Sequence, residues 1–164
     1  MKPSSIKEIV IKFNKIIPFG NYFAMMWCGF VYIREKNRTR YNKIKDTYLM
    51  RISNNHEMIH IKQALKSDDS WVKYYFNYCI QYIKNAPLIF GFNFAYYMNP
   101  YELEAYMHEL YYDYPNTNMV GESGLDKFKK LNIKEKRKIY KGYKEMYKLK
   151  GISFGTYIRQ NFYI

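Results

Sequence analysis

His56-Glu57-Met58-Ile59-His60 sets two histidines four residues apart. On a helix that spacing stands them one turn apart on the same face, so both imidazoles can reach one metal ion. Zinc accepts such a pair readily, and a glutamate directly after the first histidine is placed to take a proton from water at the metal. His56 and His60 are therefore candidate zinc ligands and Glu57 a candidate general base. Each residue alone has a plainer reading, because the histidines could be core or polar residues and Glu57 could close a capping box with Asn54. Only their joint spacing calls for a metal.

A hydrolytic zinc site needs a third protein donor and keeps its fourth position for water. The sixth residue after His60 is Lys66, so a third histidine at that distance is absent. The remaining donors lie between Asn99 and Glu109, where Glu102, Tyr106, Glu109 and Asp113 share one helical stripe and Glu104 and His108 another. Only one stripe can face the metal. Glu102 has a competing role, since it is the third residue after Asn99 and could complete a capping box there. His108 is the one histidine outside the motif; with Tyr106 and Tyr97 it can stabilise an oxyanion. Glu57 and Tyr106 are the candidate catalytic residues, and His56, His60 and Glu102 the candidate metal ligands, with Glu104 and His108 as rivals for the third place.

Together these elements resemble the gluzincin metallopeptidases, in which a His-Glu-x-x-His helix is followed by a helix donating a glutamate. The likeness is strongest to a group of short bacterial proteins that pair Asn-His-Glu-x-x-His-x-x-Gln, here Asn55 to Gln63, with Asn-Pro-Tyr/Phe-Glu-x-Glu-Ala-Tyr, here Asn99 to Tyr106. It covers roughly the middle third of the chain. The resemblance implies a compact zincin-like core, a zinc cofactor, Glu102 as third ligand and hydrolysis of amide bonds in a peptide or protein substrate. Tyr106 stands where the family usually has an aspartate. That change removes a carboxylate that would orient a histidine ligand, so Glu109 or a carbonyl must do the work instead.

The elements that position these residues read as mostly helical with a small β element near the N-terminus, an α+β fold over residues 1–164 as one domain. Tyr22 to Ile33, aromatic and β-branched, suits one or two buried strands. Arg34 to Asp46 reads as a polar loop and Thr47 to Ile52 as a short strand. Ser53, Asn54 and Asn55 offer three N-caps in a row, so the motif helix is expected to begin there and run through Leu65. Ser67 to Ser70 breaks it and caps a second helix to about Asn85, whose stripe of Trp71, Tyr75, Tyr78 and Tyr82 reads as core. A loop with Pro87 and Gly91 leads to Asn99-Pro100, the start of a third helix to about Asp113. Pro115 to Gly124 is turn-rich, Asn132 and Glu135 form a capping box for a long basic helix ending near Gly151, and the apolar tail packs back.

The charge is +13 at neutral pH, with eleven lysines and arginines between Lys127 and Lys150 and a second basic stretch from Arg34 to Lys45. Such charge is ordinarily a solvated face. It also admits another function, a basic surface on an anionic membrane or, less well, on nucleic acid, which steep salt dependence would reveal. A zinc site without turnover is a third reading, favoured if a fourth protein ligand such as His108 completes the shell. Cys28 and Cys79 sit in apolar stretches and imply no disulfide framework. The first residues lack the pattern of a secretory signal, which predicts a cytoplasmic protein, with contact at the inner face of the membrane as the peripheral alternative. Ile16 to Ile33 carries no charge, but Pro18, Gly20, Asn21 and Gly29 interrupt it as a spanning helix.

Overall fold

The computed structural model describes residues 2–18 and 23–162. Within them a three-stranded sheet is followed by a succession of helices, an α+β arrangement dominated by helix. The strands are β1 (Val10–Asn14), β2 (Ala24–Trp27) and β3 (Phe30–Arg34), in the order β1-β3-β2. β1 runs parallel to β3, and β2 runs antiparallel to it as an edge strand. Cys28 and Gly29 connect β2 to β3 with φ of 49° and 83°. Two positive φ values in succession match the twist of a tight hairpin. A side chain at Gly29 would strike Ile6 and Trp71, so the turn can lie flat on the helices only with glycine there. The hairpin occupies most of the uncharged stretch, whose residues 19–22, including the expected strand start at Tyr22, lie outside the described residues. Among the described residues no helix is long and apolar enough to cross a membrane.

The helices are α1 (Arg38–Ile44), α2 (Tyr48–Lys66), α3 (Trp71–Lys84), α4 (Pro87–Phe90), α5 (Phe92–Tyr97), α6 (Pro100–His108), α7 (Ser123–Lys129), α8 (Ile133–Lys150) and α9 (Phe154–Phe162). α6 is the hub: almost all of it is buried, and it packs against α2, α7 and α9. Leu103 and Met107 face a cluster with Phe94, Met98, Phe128, Ile139, Phe154 and Ile158, while Tyr101 joins Ile61, Ala64, Trp71, Tyr74 and Leu125 on the side of α2 and α3. Between them Ala105 meets Ile59, Tyr114 and Val120.

Several boundaries differ from the sequence expectation, each for a local reason. Most of the Arg34 to Asp46 segment is a 3₁₀ turn and α1 instead of loop. Thr47 to Ile52 is helix and not strand: Thr47 is the N-cap, its hydroxyl accepting from the Met50 N–H at 3.4 Å, and Tyr48 and Leu49 are exposed without a strand partner. Asn55 therefore lies inside α2, a poor place for asparagine, compensated by its amide donating to the carbonyls of Glu109 and Tyr111 at 2.8 and 3.1 Å. Those bonds tie α2 to the chain just past α6, which stops at His108 instead of continuing to Asp113. The capping box of Asn132 and Glu135, the end of α8 at Gly151 and the tail folding back as α9 match the sequence reading.

Lys136 is buried, its ammonium donating to Asn85 Oδ1 at 2.7 Å. Burial, aided by the charge of Lys84, lowers its pKa from the usual 10.5 to about 8. Between those values the unfolded chain binds this proton more tightly than the folded one, so stability should rise as pH increases from about 8. Urea midpoints across that window should show the rise, and Lys136→Met should flatten it.

Candidate metal centre

His56 and His60 project from successive turns of α2 toward Glu102 in the first turn of α6, and all three are buried. The two Nε2 atoms lie 3.2 Å apart, His56 Nε2 lies 3.4 Å from Glu102 Oε2, and His60 Nε2 lies 3.5 Å from Glu102 Oε1. Zinc bonds of about 2.0–2.1 Å at tetrahedral angles set neighbouring donors about 3.3–3.4 Å apart. Each separation is close to that spacing, with His56 and His60 meeting different oxygens of Glu102, so the group approximates one face of a zinc coordination shell. Glu102 Oε2 is also a buried oxygen with no hydrogen-bond partner, as a ligand atom awaiting its cation would be.

The outer contacts fix which atoms face inward. His56 Nδ1 lies 3.0 Å from Glu109 Oε2, and His60 Nδ1 lies 2.8 Å from Gln63 Oε1 and 3.2 Å from the Tyr74 hydroxyl. Gln63 must present its oxygen to His60, because its amide nitrogen donates to the Tyr101 carbonyl and to Glu104 Oε2. Both imidazoles thus face acceptors through Nδ1 and carry a proton there, leaving both Nε2 lone pairs turned toward each other. That arrangement repels unless a cation stands between them. Without metal the cation is a proton: burial opposes the charged form of His56, but the Glu102 and Glu109 carboxylates outweigh it and push its pKa up to about 10. His60 is raised as well, burial again opposing and the Glu102 charge prevailing. Glu102 is held well below the usual carboxylate range, the charges of His60 and His56 overcoming its burial. The same group would hold a metal or, with metal absent, ion-pair within itself.

The capping alternative for Glu102 fails here. Asn99 caps α6 through the Tyr101 N–H at 3.2 Å, and Glu102 instead accepts the Tyr78 hydroxyl at 2.8 Å through Oε1. Glu104 points away, fully buried, and accepts from Gln63, the Tyr114 hydroxyl at 2.8 Å and the Gly121 N–H at 2.9 Å. His108 stacks on Tyr114 with ring centroids 3.8 Å apart and is not part of the cluster. Tyr106 lies edge-on to His56 at 4.6 Å and is hydrogen-bonded to Tyr96. Of those two tyrosines it is Tyr96 that lines the cleft.

Beside the cluster opens a cleft of about 400 Å³. Glu57, His60 and Glu102 lie on it together with the edge strand β2 and an aromatic wall of Tyr75, Tyr78, Tyr82, Phe92 and Tyr96. Tyr75, Tyr78 and Tyr82, read from the sequence as core, thus face this space. Trp27 stacks on Tyr75 at 4.8 Å, and the Tyr75 hydroxyl accepts from the Cys28 N–H, which fastens the hairpin to the cleft wall. Burial raises the pKa of Glu57, Glu102 adds to the rise, and the two histidines oppose it. A carboxylate so shifted is a better proton acceptor near neutral pH than an ordinary one.

Arg159 of α9 holds Glu109 Oε1 at 2.7 Å, so Glu109 is braced between a cation and His56. Gly155 leaves the space in which they meet, since a Cβ there would strike both side chains. Nothing in the sequence around Arg159 signals this link, whereas Gln63, one turn after His60, could have been found from its spacing. Glu109→Ala should weaken zinc binding about 10- to 100-fold, measured by competition with a chelating dye. An unchanged affinity would remove Glu109 from the orienting role. Searches against protein-family models, curated proteins and solved structures find no match for this chain.

Proposed function

We propose that this protein is a zinc-dependent metallopeptidase of zincin-like design, with His56, His60 and Glu102 as metal ligands and Glu57 as general base. The observation that carries the reading is the convergence of two imidazole nitrogens and the Glu102 carboxylate at close to donor spacing beside an open cleft. A zinc ion held there would supply Lewis acidity, lowering the pKa of water and polarising a substrate carbonyl. Glu57 lies on the cleft wall and would accept the proton released from water and return it to the leaving amine. Tyr96, hydrogen-bonded to Tyr106, offers a phenol to the substrate, so the oxyanion role expected of Tyr106 is proposed for the pair.

The substrate proposed is an extended peptide or protein segment. β2 is the edge of its sheet and borders the cleft, so its outer edge can pair with a substrate backbone. A structural zinc site takes four protein donors, whereas the described residues bring three to this cluster. That count favours turnover over a purely structural site.

The test is elemental analysis of protein freed of any histidine tag. It should show about one zinc per chain. Zinc at a thousandfold excess over its dissociation constant should raise the melting temperature by roughly ten degrees, from about 4 kcal/mol of linkage. Protein that takes up no added zinc, or that melts identically with and without it, would sink the proposal.

A further inference from the structure

The outward face of α3 carries Val72, Phe76 and Ile83, spaced four and seven residues apart on one stripe and each largely exposed. The chain then turns into α4, whose Leu88 and Ile89 project into solvent at 89% and 76% exposure, followed by Phe92 at 65%. Residues so apolar and so exposed, contiguous in sequence, call for a partner. On the other side of α4 a groove of about 400 Å³ separates it from α8, lined by Arg137, Lys141, Lys144 and Lys148 with Glu145 as the lone acid. Arg137 lies over the Phe90 ring at 5.1 Å, so the cationic bank and the apolar tip are fixed to each other.

We propose that this face binds an anionic lipid surface, with Leu88, Ile89 and Phe92 entering the acyl boundary and the α8 cations meeting the lipid phosphates. The chemistry selects that occupant. Aliphatic tips gain nothing from nucleic acid, whose phosphates would engage only the lysines and arginines. A second copy of the chain would bring like-charged α8 faces together. A bilayer takes both parts at once: apolar side chains bury about 5–10 Å into the interface while cations lie in the negative surface potential. Phe92 also borders the cleft described above, so a bound protein presents that cleft at the membrane. The membrane contact needs no metal and stands or falls independently of the peptidase reading.

Sedimentation of the 164-residue chain with vesicles provides the test. The protein should pellet with phosphatidylcholine vesicles containing about 30% phosphatidylglycerol and stay in solution with phosphatidylcholine alone. Lys141→Ala with Lys144→Ala should weaken binding roughly fivefold for each cation removed. Leu88→Ser with Ile89→Ser should weaken it at least about tenfold while the melting temperature stays unchanged, because both side chains are already in solvent. Binding that ignores the Leu88 and Ile89 changes would overturn the proposal. So would a concentration-dependent dimer that those changes dissolve, or tight binding to single-stranded RNA with none to vesicles.

Discussion

Glu102→Ala is expected to lower zinc affinity by several orders of magnitude, and Glu104→Gln to leave the metal in place. The two carboxylates differ by two residues, but α6 turns them to different tasks: Glu102 meets His56 and His60, while Glu104 accepts three donors deep in the core. Glutamine is the milder change at position 104: it keeps an oxygen for the Tyr114 hydroxyl and the Gly121 N–H, although its NH2 then faces the Gln63 amide. Alanine there would orphan Gln63, Tyr114 and Gly121, cost about 3 kcal/mol or more, and release the amide that orients His60. A metal assay on Glu104→Ala would thus confuse ligand loss with lost orientation. Equilibrium dialysis against buffered zinc, read beside the melting temperature of each metal-free variant, separates the two. Zinc binding that survives Glu102→Ala at near native affinity would show that the cluster is an ion-pair network and not a ligand set.

The fold was legible where one strong local signal acted alone. Asn132 with Glu135, Asn99 with Pro100 and the left-handed Gly151 each mark a helix end through backbone chemistry that no distant contact alters. Reading failed where tertiary partners overrode local preference. Ser53-Asn54-Asn55 has the composition of a helix start, yet Asn55 is buried mid-helix because it serves carbonyls more than fifty residues away. Tyr48 and Leu49 look like strand residues and lie exposed on the first turn of α2.

The candidate site divides along the same line. His56, Glu57 and His60 are visible from their spacing, and Glu102 came from resemblance and a choice between stripes. Glu109 was named only as a candidate orienter. Its geometry depends on Arg159, which reaches it from the far end of the chain. The aromatic cleft wall was read as core because Tyr75, Tyr78 and Tyr82 recur at helical spacing. Periodicity reports that a face is apolar, not whether protein or open space lies against it.

Glu57→Gln should retain zinc at near native affinity and abolish hydrolysis. Glu57 lies on the cleft beside His60 and Glu102, but outside the group of three whose donor atoms converge. Replacing its carboxylate with an amide keeps the side-chain volume and a hydrogen-bonding oxygen while removing the ability to accept a proton. The loss expected from removing a general base is about 10²- to 10⁴-fold in rate. The metal readout protects the inference, because a variant that simply misfolds would lose zinc along with activity. Cleavage of a mixed peptide library, followed by mass spectrometry, supplies the activity readout without presuming a sequence preference. Full activity in Glu57→Gln would exclude it as the base and leave the metal cluster without a proton acceptor on the cleft wall. Zinc loss in the same variant, with its metal-free melting temperature unchanged, would instead bring Glu57 into the coordination shell, and the three-donor geometry of His56, His60 and Glu102 would no longer describe the site.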